Sequence, residues 1–203
     1  MSEEDTRAGG EGANGGDPFD VLRADPALGP VVEEHGRIEL TTAEDPFRRF
    51  VVSIVNQQLS SASAAAIRDR LFERFPATPE ALLAADETAL RETGLSSQKV
   101  EYVRNVAGAF QSGRVDPQAL RALPDDEVVD RLTEIRGVGV WTAKMFCVFC
   151  LAREDVFPVE DLGIRRGMEH LFGDISREEM VERAEPWRPY RSYASRYLWR
   201  VHD

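Results

Sequence analysis

The sequence predicts an all-α fold of many short helices, and three observations predict it. Asp-Pro recurs at Asp17-Pro18, Asp25-Pro26, Asp45-Pro46 and Asp116-Pro117, each an aspartate suited to cap a helix followed by a proline suited to its first turn. No stretch alternates apolar and polar residues convincingly, residues 37–40 being the only short strand candidate. Between Gly139 and Ala152 the chain carries a single charge, Lys144, so a helix apolar almost all round is expected in the middle of a domain.

In chain order, residues 1–16 are acidic and glycine-rich and read as a disordered tail ahead of a domain spanning 17–203. The punctuation then predicts helices over 26–35, 46–58, 61–75, 79–85, 87–92, 97–112, 117–122, 125–135, 140–152, 162–172, 177–186 and 190–201. The start at residue 79 rests on Thr78-Pro79-Glu80, the one at 162 on Asp161 as a cap. No solenoid-type repeat is present, and a two-lobed arrangement with a groove between the lobes suits so many short helices.

Composition excludes several classes of function. The longest apolar run, Met145 to Ala152, falls far short of the roughly 20 residues a membrane helix needs. The N-terminus is acidic where a signal peptide is basic, so a soluble cytoplasmic protein is expected, with no membrane partner. Two cysteines, Cys147 and Cys150, are too few for a four-cysteine zinc or iron–sulfur site, and at i, i+3 in the apolar helix they read as small core residues. The three histidines are scattered, so no metal centre is expected. The net charge of −11 argues against nucleic acid when taken whole. Residues 1–45 alone hold twelve acids and three bases, so the remainder is nearly balanced and can present a basic face. All but Lys99 and Lys144 of the 25 bases are arginine, the composition of a protein adapted to high salt.

The segment 125–152 carries the chemistry. Leu132-Thr-Glu-Ile135 leads into Arg136-Gly137-Val138-Gly139 and then the apolar helix, a helix, a Gly-x-Gly hairpin and a helix. The glycines permit positive φ and leave amide N–H groups bare at a helix N-terminus, where aligned donors and the helix dipole both favour a phosphate. An ordinary helix–helix turn has the same pattern. Arg136, Arg165 and Arg166 flank this region and are candidate phosphate partners, or a solvated basic face.

The wider pattern narrows the choice. Leu-x-x-Ile-x-Gly-Val-Gly-x-Trp-Thr-Ala-Lys, followed by Asp155-Val-Phe-Pro-Val-Glu-Asp-Leu-Gly-Ile164, resembles the helix-hairpin-helix (HhH-GPD) DNA glycosylase superfamily. Further matches are Ile54-Val-Asn-Gln-Gln-Leu-Ser60, residues 94–104, and Pro189-Tyr-Arg-Ser-Tyr-Ala-Ser-Arg-Tyr-Leu-Trp199. The last is similar to the C-terminal helix of the AlkA-like DNA-3-methyladenine glycosylase II branch. The resemblance covers roughly residues 18–203 and implies base excision repair of double-stranded DNA with damaged bases, by a monomer without a cofactor.

The resemblance also implies roles. Asp161 becomes the essential carboxylate, stabilising oxocarbenium character on the sugar or orienting a water, with Glu160 the rival carboxylate and Asp155 farther off. Strand-cleaving members carry a lysine two residues after the second hairpin glycine; here that position is Trp141, which cannot form a Schiff base, so the monofunctional branch is implied. Lys144 is expected simply to reach solvent. An aromatic base pocket is implied, with Trp141, Trp199, Met145 and Tyr193 as candidates; Trp199 and Tyr193 equally suit a core. Gln58 or Leu59 matches the wedge that fills the gap left by a flipped base. The hairpin backbone at Gly137, Val138 and Gly139, with Arg136, would meet the phosphates, and carbonyls from Arg136 to Val138 would hold a Na or K ion. Two other functions compete: a non-catalytic DNA-binding module on the same hairpin, and a glycosylase for another damaged base.

Overall fold

Prolines and short polar side chains set where the helices begin. The computed structural model describes residues 16–201, and the expected tail apart from Gly16 lies outside the described residues. Asp17 accepts from Phe19 N at the start of α1 (Pro18–Arg23), and Asp45 from Arg48 N at the start of α3 (Pro46–Asn56). Thr78 caps α5 (Pro79–Ala84) and Asp116 caps α8 (Pro117–Arg121) in the same way. Asp25 departs from the pattern. It accepts from Ala27 N and Leu28 N at 2.9 and 2.8 Å, yet holds only a turn, and α2 runs Gly29–His35. Pro30 explains the shortened helix, since it has no N–H to donate to the Pro26 carbonyl and a helix can accept it only in its first turn.

The remaining helices are α4 (Ser61–Arg74), α6 (Glu87–Glu92), α7 (Ser97–Gln111), α9 (Asp125–Thr133), α10 (Val140–Cys150), α11 (Leu162–Phe172), α12 (Arg177–Ala184) and α13 (Arg191–Leu198). A 3-10 turn at Glu185–Trp187 ends the segment expected as one helix over 177–186. Residues 37–40 are irregular, and there is no strand among the described residues for them to pair with. No helix among those residues is long and apolar enough to cross a membrane.

Two separate hydrophobic cores make two lobes. The first is built from α3 to α10, with Phe50 and Phe146 at 4.8 Å between ring centroids and Phe47 edge-on to Phe110 at 5.2 Å. The second gathers α1 and α2 with α11, α12 and α13 around Leu22, Leu28, Ile164, Met168, Trp187 and Tyr197. The chain therefore starts in the second lobe, builds the first, and returns at Phe157. Polar contacts fasten the two ends together: Trp187 Nε1 donates to Asp25 Oδ2 at 2.9 Å and Tyr197 Oη to Gly36 O at 2.8 Å. A Cβ on Gly167 would lie 2.6 Å from Leu198 O, so α11 and α13 pack with their backbones almost in contact.

Helix α10 is buried as its composition requires, and Cys147 and Cys150 are fully enclosed in it. Burial pushes both thiols from an ordinary 9.0 up to about 12. The folded chain thus keeps protons that the unfolded chain releases, so stability falls as pH rises from the unfolded value towards the folded one. Two outcomes follow. A thiol reagent should leave the native protein unmodified at neutral pH and titrate two thiols after denaturation. Replacing both cysteines by alanine should flatten the alkaline decline of Tm, and an unchanged slope would contradict the assignment.

Candidate functional site

The hairpin joins α9 to α10 through residues 134–139. Gly137 has φ +100°, and a Cβ there would run into the Tyr102 ring, so glycine is required on two counts. Gly139 differs: its φ is −90°, and a Cβ on it would meet nothing within 4 Å. Of the two glycines, only Gly137 uses the left-handed region; Gly139 leaves open space above the start of α10. That start has no side-chain cap, so its first amides remain free to donate.

Neighbouring helices hold the hairpin from behind. Gln57 Nε2 donates to Gly137 O and to Thr142 Oγ1, both at 2.9 Å, and Asn105 Nδ2 donates to Arg136 O at 3.0 Å. Lys99 Nζ donates to Val55 O and Gln57 O at 2.6 and 2.8 Å, closing the C-terminus of α3, and burial lowers its pKa. The carbonyls of Arg136 and Gly137 thus each accept one amide hydrogen bond and keep a second lone pair, which suits a monovalent cation. Among the described residues no cluster of His, Cys, Asp or Glu could hold a metal ion.

Across the groove, Asp161 caps α11. Its Oδ1 accepts from Ile164 N at 3.0 Å and from Trp199 Nε1 at 2.8 Å, and its Oδ2 accepts from Trp141 Nε1 at 2.7 Å. All three donors are neutral. Glu160, next in sequence, is held differently: Lys144 Nζ reaches its two oxygens at 2.9 and 3.0 Å and also donates to Phe157 O. Lys144 therefore does not simply reach solvent, because the chain returning at 157–160 places a carbonyl and a carboxylate over it. Asp155 pairs with Arg188 and Arg191 at 2.7 and 2.6 Å. Of the three carboxylates, only Asp161 keeps a charge with no ion-pair partner.

Between the lobes lies a cavity of about 920 Å³. The first lobe lines it with Gln58, Leu59, Arg136, Gly137, Val138, Gly139 and Trp141, the second with Glu160, Asp161 and Arg165. Ser96, Gly139 and Asp161, the caps of α7, α10 and α11, all line it, so three helix N-termini converge there. Arg165 Nε is buried without a hydrogen-bond partner, and the Arg136 side chain is 76% exposed beside Glu101. Leu59 and Leu162 stand exposed at the cavity, one from each lobe. Gln58 is exposed and has φ +55°, a conformation rare outside glycine.

Several expected site residues fall elsewhere. Met145 is buried inside α10 and does not line the cavity, because the α10 face one turn after Trp141 packs inward. Tyr193 packs edge-on to Tyr190 and its hydroxyl meets Glu154 Oε1 at 3.2 Å, away from the groove, since α13 presents it on another face from Trp199. Trp199 reaches Asp161 by its N–H edge, and its ring stacks on Phe149 at 5.6 Å. Arg166 is exposed and lies outside the cavity, whereas its neighbour Arg165 lines it. Sequence reasoning passed over Gln57, Lys99, Tyr102 and Gly163. Gln57 stands beside Gln58 in a helix-ending pair, and Gly163 interrupts a helix, which is the one local signal either offered.

Comparisons with known proteins agree with this geometry. The model of the family described as HhH-GPD superfamily base excision DNA repair protein matches residues 51–189. DNA-3-methyladenine glycosylase 1 of Schizosaccharomyces pombe is 32% identical over 167 residues, covering 78% of this chain and 73% of its own length. The structure of the 3-methyladenine DNA glycosylase of that yeast, in complex with abasic DNA, superposes with a TM-score of 0.83 at 29% identity, over 90% of this chain and 95% of that one. A DNA-3-methyladenine glycosidase from Bacillus halodurans superposes with a TM-score of 0.76 at 36% identity, over 91% and 88% of the two chains. Other bacterial relatives are longer, and the chain spans 64% to 66% of their length.

The two hairpin glycines should respond differently to a methyl group. Gly137→Ala should cost about 2 kcal/mol or more, lowering Tm by roughly 4–8 °C, through the strained φ and the collision with Tyr102. Gly139→Ala should leave Tm within about a degree, since the added Cβ meets open space. Thermal unfolding followed by circular dichroism decides between them, and equal losses at both positions would sink the assignment.

Proposed function

Because this chain belongs to the HhH-GPD superfamily of base excision DNA repair proteins, we propose that it is a monofunctional DNA glycosylase of the DNA-3-methyladenine glycosylase II type, hydrolysing the N-glycosidic bond of alkylated purines. The observation that carries the proposal is Asp161, a carboxylate at the groove held by three neutral donors with no ion-pair partner. Heterolysis leaves the bonding electron pair on the departing base and positive character on the sugar. A carboxylate with its full charge stabilises that character, and water then adds to the anomeric carbon and gives up a proton. An alkylated purine already carries positive charge and leaves readily, so a strong general acid is not needed.

The groove supports the other roles. The bare amides at the start of α10, with Arg136 and the unpartnered Arg165, suit phosphates of double-stranded DNA. These donors act locally, so the acidic balance of the whole chain does not prevent binding. Gln58 and Leu59, exposed beyond the end of α3, suit a wedge that enters the stack as a base leaves it. Trp141 supplies an aromatic wall beside Asp161. A Na or K ion, if bound, would be held by the carbonyls of Arg136 and Gly137 and would add positive charge beside the free amides of α10. Trp141 stands where strand-cleaving relatives hold their lysine, Lys144 is tied to Glu160 and Lys99 to two carbonyls, so neither lysine among the described residues offers the sugar a free amine. We read the protein as a cytoplasmic monomer.

Substitution of the carboxylates tests the proposal. Asp161→Asn should remove release of 3-methyladenine from methylated duplex DNA, by about 100-fold or more, while binding to an abasic-site duplex is retained. Glu160→Gln should keep most of the activity. Borohydride should trap no covalent protein–DNA adduct with the wild type. Near wild-type release by Asp161→Asn would refute the assignment, and an adduct lost in Lys144→Ala would place the protein among the strand-cleaving enzymes.

A further inference from the structure

Trp199 does not line the cavity, yet its indole N–H meets the carboxylate at the cavity's edge. One face of its ring is covered by Phe149 at 5.6 Å with the planes 18° apart, and Arg49 lies over Phe149 at 4.0 Å from the ring centroid. The ring is thus packed into a stack, and its polar edge is spent on Asp161 Oδ1. Gly163 makes this approach feasible. A Cβ there would lie 2.8 Å from Trp199 Cδ1, 3.0 Å from Asp161 Oδ1 and 3.2 Å from Trp199 Nε1. Nothing in the φ of Gly163 demands glycine, so the demand comes from the space between the indole and the carboxylate.

We propose that Trp199 and Gly163 are positioning residues for Asp161: the gap left by Gly163 lets the Trp199 N–H fix Oδ1, while Trp141 fixes Oδ2. A carboxylate has about four acceptor positions. Three are filled, two on Oδ1 by Ile164 N and Trp199 Nε1 and one on Oδ2 by Trp141 Nε1. The remaining position is on Oδ2, and it is the one that receives the attacking water or faces the sugar. Indole donors hold the carboxylate by direction alone and leave its charge intact for the transition state; a lysine or arginine in their place would neutralise it. Trp199 therefore acts on the rate of bond breaking rather than on the choice of base. This inference rests on Asp161 being the catalytic carboxylate.

Single-turnover base release from duplex DNA carrying 7-methylguanine, read with the half-saturating protein concentration, separates the two roles. Trp199→Phe keeps a ring to stack on Phe149 and removes the N–H; the rate should fall roughly 10- to 100-fold while the half-saturating concentration stays within about twofold. Gly163→Ala, which touches neither partner chemically, should give a similar loss. The double variant should be no slower than Trp199→Phe, because both act through one hydrogen bond. Losses that multiply, or a Trp199→Phe change confined to the half-saturating concentration, would overturn the proposal and return Trp199 to a base-binding role. If Gly163→Ala does not fold, as judged by its melting transition, Trp199→Phe and Trp141→Phe decide alone, each expected to lower the rate and not the binding. Asp161→Asn in the same assay keeps the readings apart: if it is inactive and the clamp variants are as fast as wild type, only this inference fails, and if it is active, the catalytic assignment itself fails.

Discussion

Asp161 accepts hydrogen bonds from one backbone amide and two indoles, and the packing of both lobes brings those donors to it. The amide comes from α11, which Asp161 itself caps. One indole comes from the first turn of α10 in the opposite lobe, directly after the hairpin. The other comes from the end of α13, and it arrives only because α11 and α13 pack backbone to backbone over Gly167 and because Gly163 has no side chain. An anion at the groove costs desolvation unless its lone pairs are satisfied. Satisfying them with neutral groups preserves the charge, and neither nearby cation pairs with it: Lys144 is engaged on Glu160, and Arg165 Nε is buried with no hydrogen-bond partner.

The same economy explains how an acidic chain offers a surface to DNA. Several arginines away from the groove are spent on acids: Arg74 on Glu92, Arg114 on Glu134, Arg131 on Glu127, and Arg188 with Arg191 on Asp155. At the groove, positive potential comes instead from three helix N-termini and a few guanidiniums. Gln57 and Lys99 lock α3 to the hairpin and to α7, so the strained Gln58 and the exposed Leu59 project from a rigid base.

Helix positions were largely legible in the sequence because their signals are local. A capping aspartate or threonine and a proline in the first turn act within four residues, and α3, α5 and α8 begin where such pairs stand, α11 at its aspartate cap alone. The start expected at residue 26 failed because Pro30 has no N–H to continue a helix from Pro26, and α1 was not among the expected helices although Asp17-Pro18 marks its start. The catalytic candidate was legible through a motif. What surrounds it was not, because those contacts join residues 20 to 38 positions apart: Trp141 and Trp199 both converge on Asp161, and no spacing rule says which edge of an indole will point inward. Met145 and Tyr193 show the same limit from the other side. Their residue types suit an aromatic pocket, but helix phase buries one and turns the other away. Lys144 and Glu160 are separated by a loop whose return path only the fold defines.

All three tryptophans donate their indole N–H to an aspartate, Trp141 and Trp199 to Asp161 and Trp187 to Asp25. The indole N–H resonances therefore report the central interaction directly. In a 15N–1H correlation spectrum of the protein and of Asp161→Ala, two of the three indole cross-peaks should move in the direction of a weakened hydrogen bond while the third, from Trp187, stays in place. A spectrum in which the Asp161 substitution leaves all three unmoved would contradict the two-indole hold on this carboxylate, and with it the account of how the groove is organised.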